Sequence, residues 1–130
     1  MPVRTHGRID RGLCGRPTLL EPGRATVELE ASAIMAADEH GLVHGGFVFG
    51  LADHAAMLAV NEPNVVLVSA EVKFLRPVRP GEQLTAQAVV TRAEPPRYAV
   101  TCTVSRQDET VFEGVFSCHV PKQHVLERRP

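Results

Sequence analysis

Residues 41 to 61, GLVHGGFVFGLADHAAMLAVN, constrain this chain more than any other part of it, because they read as one helix that is apolar on nearly every side. Phe47, Leu51, Ala55 and Leu58 fall on one helical stripe, and Gly50, Ala52, Ala56 and Ala59 form a small-residue stripe beside it. Such a helix does not belong on a surface. It needs apolar walls, and its small residues let those walls come close. Asn61 and Pro63 supply its stop signal.

The remainder of the chain supplies the wall. After Gly23, Ala25, Val27 and Leu29 alternate with Thr26, Glu28 and Glu30, the period of two that marks a half-buried strand, with a short strand expected before it at Thr18-Leu19-Leu20. Residues 65 to 75 open with a β-branched run, and Pro77, Pro80 and Gly81 then mark a turn. Leu84, Ala86, Ala88 and Val90 define the next strand, which Pro95-Pro96 ends. Tyr98, Val100, Cys102 and Val104 define another, and Phe112, Phe116, Cys118 and Val120 share one face of the last, closed by Pro121. Strands joined by short connections pair antiparallel. The expected architecture is α+β, a curled antiparallel sheet wrapped around one long central helix, as one domain over 1–130 with a core from about residue 18 to about 120 and frayed, Arg-rich ends.

With 130 residues there is room for one core and not two. The 14 basic and 15 acidic residues leave a net charge of −1, which gives no electrostatic footprint for nucleic acid or an anionic membrane. Arg4, His6, Arg8, Asp10 and Arg11 stand near the start with no apolar run behind them, so no secretory leader is read there. Residues 47 to 60 are too few to span a bilayer and are interrupted by Asp53 and His54. A soluble, cytoplasmic protein is expected, and Cys14, Cys102 and Cys118, without a CxxC pair, are read as reduced thiols acting as small apolar residues.

Two features of the helix carry chemistry. Gly45 and Gly46 stand at its expected start, where backbone N–H groups lack intrahelical partners, the macrodipole is positive and no Cβ blocks an approaching ligand. They serve equally as a sharp turn into a close-packed helix. Asp53 follows about two turns later among Leu51, Ala52, Ala55, Ala56 and Met57. A carboxylate there loses hydration unless it is paired with an Arg or faces a cavity, which makes it the leading functional candidate.

GLVHGGFVFGLAD (41–53), followed some twenty residues later by VKFLRPVRPGE (72–82), resembles the hotdog-fold acyl-CoA thioesterases, and within them the PaaI-like, phenylacetyl-CoA thioesterase-type branch. The resemblance covers residues 18 to 120 as an order of elements. It implies an acyl-CoA substrate, no cofactor, and a homodimer or dimer of dimers whose active sites lie between subunits, HGG of one facing Asp53 of the other. Under it, the Gly46 amide, with that of Gly45, polarises the thioester carbonyl, and Asp53 is general base or nucleophile. Asp38 is the competing carboxylate, since DEHGLV also looks like the Asp-x-x-Gly-x-Val loop of another hotdog thioesterase branch; its other reading is a loop cap. His44 is an orienting or substrate-contacting residue, or a structural one.

Ser69 is read as a small polar residue facing the site, and Phe47, with Val48, Phe49 and Met57, as lining for a small aromatic or short to medium acyl chain. Lys73, Arg76 and Arg79 are candidate contacts to the coenzyme A phosphates, against a default of solvated charge. No metal is expected, because Gly41 breaks the helix that His40 and His44 would need to share. Two other functions stay open. A hotdog hydratase or dehydratase would need an Asn-Pro-type loop or His-Phe-Pro motif, neither of which is found; a non-catalytic acyl-CoA sensor would need a partner protein, because the twenty or so residues before the first strand are too few for a DNA-binding module.

Overall fold

The computed structural model describes residues 1 to 127. Among them, six strands form one sheet: β1 (Arg16–Glu21), β2 (Arg24–Glu30), β3 (Val66–Phe74), β4 (Gln83–Glu94), β5 (Arg97–Arg106) and β6 (Glu109–His119). Their spatial order is β1-β2-β4-β5-β6-β3, antiparallel throughout. Helix α2 (Gly45–Val60) interrupts the chain between β2 and β3 and packs chiefly against β2, β4 and β5. This is the hotdog fold, a curled antiparallel sheet around one main helix.

The alternation read from sequence sets which side of each strand meets the helix. Val27, Leu84, Ala86, Val100, Cys102, Val104, Phe112 and Phe116 are all buried, while their strand neighbours Gln87, Thr101, Glu113 and Val115 are exposed. Leu51, Ala52, Ala55, Ala56 and Leu58 of α2 lose all contact with solvent against them. Each large side chain so buried contributes about 1.5–3 kcal/mol. The alanines keep the helix backbone close to the sheet. Asn61 ends α2 in the left-handed conformation, at φ 52°, where Asn is among the few residues tolerated.

The N-terminus departs from expectation. Rather than fraying, residues 1 to 14 lie across the helix. Arg4 N–H donates to Asn61 Oδ1 at 2.9 Å, and Asn61 Nδ2 donates to the Pro2 carbonyl at 3.0 Å. A four-residue helix, α1 (Arg11–Cys14), capped by the Asp10 carboxylate, then packs on α2 and leads into β1. Polar, Arg-rich sequence reads as a loose end, and here polar side-chain to backbone bonds, invisible to periodicity, hold it down.

The two edges of the sheet differ. β1 is six residues long, carries Pro17, has an irregular register between Pro17 and Leu19, and receives the N-terminal amine on the Leu20 carbonyl. β3 has nine residues without proline, pairs with β6 on one side only, and leaves Val68 67% exposed.

Candidate active site

The loop before α2 is tied on both sides. Val43 bridges Ala36, Val43 N–H donates to the Val78 carbonyl, and His44 N–H donates to the Met35 carbonyl, both at 2.9 Å. Asp38 sits in this loop, exposed, its Oδ1 accepting from the amides of His40 at 3.0 Å and Leu42 at 3.1 Å. One oxygen of the competing carboxylate therefore organises the turn that delivers HGG.

His44 precedes the first helical residue, and no side chain caps the helix. The amides of Gly45 and Gly46 thus stand at the positive end of a sixteen-residue helix with no intrahelical carbonyl to donate to. Gly46 is exposed, with the His44 ring 3.1 Å from where its Cβ would be. The His44 ring is itself exposed and lies edge-on to Phe47 at 6.3 Å. A Cβ on Gly45 would come within 3.1 Å of the Phe74 ring. A side chain at position 45 would need the Phe74 ring to give by a few tenths of an ångström.

Asp53 is buried enough that its pKa is pushed up to about 6 by loss of hydration. Its Oδ1 is shielded from solvent and has no hydrogen-bond partner among the described residues. No Arg among the described residues forms the ion pair considered from sequence. Cys102 and Cys118, pushed up to about 12 by burial and then by the Asp53 charge, remain protonated, and burial and then Asp10 and Asp53 raise Cys14 as well. His54, on another side of the helix, is 2% exposed and donates Nδ1–H to the Cys14 carbonyl at 3.0 Å. It is a packing residue, with its pKa lowered by burial.

Within one chain, seven residues of helix separate Gly46 from Asp53, about 10 Å along the axis. Both cannot touch one carbonyl group in the same copy.

A cavity of about 290 Å³ lies beside the helix entry, lined by Leu42, Val43, Gly45, Val48, Phe74 to Val78 and Val111. Arg76 is the only charged residue in that lining, so of the three basic candidates it is brought to the helix entry. It also pairs with Glu109 at 3.4 Å. Arg106, which donates to the Pro77 carbonyl and pairs with Glu82 and Glu109, holds the turn after β3 in place. Arg79 is exposed in that turn, its backbone amide on Glu82 Oε1.

Two of the candidates lie on the face of the sheet turned away from the helix. Ser69 pairs with Ser117, which is exposed between buried Phe116 and Cys118, and directly opposed residues share a face. Ser69 therefore lies on the outer face, away from α2. The cause is a register shift between Leu67 and Ser69, which reverses the alternation along β3. Lys73, opposite exposed Glu113, lies on the same outer face and apart from the helix entry. The same shift turns Phe74 inward, edge-on to Phe112 at 5.1 Å and against Gly45, a site residue the sequence reading assigned no role. Phe47 is half-buried beside His44. No group of three His, Cys, Asp or Glu side chains among the described residues is disposed to hold a metal ion, and no helix is long and apolar enough to cross a membrane.

This chain belongs to the thioesterase superfamily, whose family model matches residues 40–113, the span that holds the HGG turn and Asp53. Among solved structures, it is similar to the protein PH1136 of Pyrococcus horikoshii, at 50% identity and a TM-score of 0.96 over 98% of each chain. It is also similar to the E. coli PaaI protein of the phenylacetic acid degradation operon, at 26% identity and a TM-score of 0.82 over 92% of this chain and 88% of that one. Among curated proteins, it is 45% identical over 116 residues to the methylthioribose-1-phosphate isomerase of Aquifex aeolicus, covering 89% of this chain and 25% of that protein. It is 31% identical over 93 residues to the transcription factor FapR of Shouchella clausii, covering 72% of this chain and 48% of that protein. The chain thus spans between a quarter and about half of these two relatives.

Proposed function

We propose that the protein is a cytoplasmic acyl-CoA thioesterase of the PaaI-like branch, acting as a dimer or dimer of dimers on a small aromatic or short- to medium-chain acyl-CoA. The observation that carries this reading is Asp53, a carboxylate with a shielded, unpartnered oxygen and a pKa near 6, on a helix whose N-terminus is uncapped. A general base serves best when its pKa lies near the working pH. The separation between Gly46 and Asp53 along the helix supports a site completed by a second copy, and the open β3 edge, unlike the blunted β1 edge, offers it a place to pair.

In this mechanism the thioester oxygen lies against the Gly46 and Gly45 amides of one copy. Asp53 of the other takes a proton from water as the oxygen of that water bonds to the carbonyl carbon. The amides stabilise the charge that develops on the carbonyl oxygen. When the intermediate collapses, the C–S bond breaks, and the thiolate of coenzyme A leaves and takes up a proton. Direct attack by Asp53 would instead give an anhydride, and incorporation of ¹⁸O from labelled water into Asp53 separates the two routes. The cavity beside Gly45 and Phe74 receives apolar parts of the substrate, with His44 beside the amides, while Arg76 and Arg79 meet its phosphates.

The test is a thiol-release screen over phenylacetyl-, hydroxybenzoyl- and C4 to C12 acyl-CoAs, run with Asp53→Asn and Asp38→Asn. Turnover lost in the first variant and kept in the second is expected. Wild-type rates in both would refute the assignment. A second reading, a non-catalytic acyl-CoA-binding module, is favoured by the similarity to part of a transcription factor and part of an isomerase. Micromolar acyl-CoA binding by calorimetry, without thiol release, would establish it instead.

A further inference from the structure

We propose that Gly50 is the point at which α2 meets α2 of a second copy, and that its missing side chain sets how closely the amide end of one helix approaches the carboxylate of the other. The inference rests on the reading above, in which one copy supplies the amides and the other Asp53.

Glycine is among the least favourable residues for a helix interior, and Gly50 lies in the middle of α2. Packing within the chain does not call for it. A Cβ at Gly50 would touch nothing within 4 Å, whereas one at Gly114 would come within 2.6 Å of the Val72 side chain and one at Gly15 within 2.8 Å of the Glu28 carbonyl. The latter two are explained by their own surroundings. Gly50 is not.

Gly46, Gly50 and Asp53 follow one another at successive turns and share one side of α2, the side turned away from the buried stripe of Leu51, Ala55 and Leu58. A two-fold axis relates antiparallel helices so that each residue opposes one equally far beyond the axis, and the contacting patch must complement itself. Placing Gly46 opposite Asp53 fixes that axis at the peptide between Phe49 and Gly50, so these two residues lie nearest their own counterparts. Charge agrees with the placement, because the positive end of each helix then faces a carboxylate whose Oδ1 has no hydrogen-bond partner among the described residues. The Phe49 ring is drawn aside onto Phe116, at 5.5 Å, and Phe112, at 6.5 Å. Bare backbone at Gly50 is left as the contact. Helix axes usually lie about 8–10 Å apart according to the side chains between them, so a contact of two glycines permits the short end of that range. Gly50 is thus a positioning residue acting through the gap it sets.

Two experiments test this. Gly50→Cys, made together with Cys14→Ser to remove the half-buried thiol, should oxidise to a covalent dimer on a non-reducing gel, since a disulfide requires Cα atoms about 4.4–6.8 Å apart. Thr101→Cys, on the exposed outer face of β5, should give none. In parallel, Gly50→Ala and Gly50→Leu should still fold by circular dichroism and lower kcat in steps, by about tenfold and at least a hundredfold, with KM changing less, because displacing reacting groups by about 1 Å costs on the order of a hundredfold. No cross-link at position 50, or a Gly50→Leu protein with wild-type kcat, would overturn the proposal. Cross-linking in a protein that releases no thiol from any acyl-CoA would instead sink the thioesterase reading and leave the helix crossing standing.

Discussion

Asp53→Asn should make the protein more stable at neutral and alkaline pH while abolishing its turnover. Burial raises the Asp53 carboxyl from its ordinary 3.8 to about 6. At about 1.4 kcal/mol per pH unit, ionising it in the folded chain weighs against folding by on the order of 3 kcal/mol. In the proposed dimer, a helix N-terminus brought opposite would return about 0.3–1 kcal/mol of that, leaving about 2 kcal/mol. The stability tied to the bound proton is fully present below pH 3.8, where folded and unfolded chains both carry it, and is lost as pH rises through about 6. Asparagine keeps the shape and never ionises. Urea unfolding curves of the two proteins should therefore converge toward pH 4 and separate by about 2 kcal/mol at pH 8, the variant being the more stable. Thiol release by the variant should fall by about two to four orders of magnitude. A variant no more stable than the wild type at pH 8, or a gap that persists undiminished in acid, would refute the reasoning.

Three further outcomes are expected. The pH profile of kcat/KM should rise with unit slope up to about pH 6 and then level, whereas a carboxylate with an ordinary pKa would place that shoulder near 3.8. Gly45→Ala should push the Phe74 ring aside and raise KM for aromatic acyl-CoAs more than for acetyl-CoA, with Phe74→Leu in the same chain restoring it. Asn61→Ala should cost about 2–3 kcal/mol in urea unfolding, from two lost hydrogen bonds and a strained left-handed residue, and should open Arg4, Arg8 and Arg11 to trypsin. Asn61→Gly should recover the backbone part of that loss and stay trypsin-sensitive.

What could be read from residues alone follows from which interactions have a period. The helix and the six strands were legible because burial on one side imposes 3.6 or 2 on the apolar positions, as Leu51, Ala55 and Leu58 or Val100, Cys102 and Val104 show. Asp53 stood out because a carboxylate inside such a run has to be accounted for. The docking of residues 1 to 14 could not be read, since it depends on the Asn61 side chain reaching backbone groups more than fifty residues away. The face that Ser69 occupies and the contact of Phe74 with Gly45 could not be read, because one extra residue in β3 reverses everything after it and carries no signal in the residue types of the strand. Gly50 belonged visibly to a small-residue stripe. That nothing among the described residues fills the space beside it is a property of the fold, not of the stripe.

The unequal margins of the sheet bear on how large an assembly can grow. A strand open along its backbone invites another strand, and a sheet open at both ends can add copies without limit, as fibrils do. Here β1 carries Pro17 and an irregular register, which leaves β3 as the more open edge. Once two copies join along β3, both outward margins are the less open kind, and growth beyond two in that direction is disfavoured.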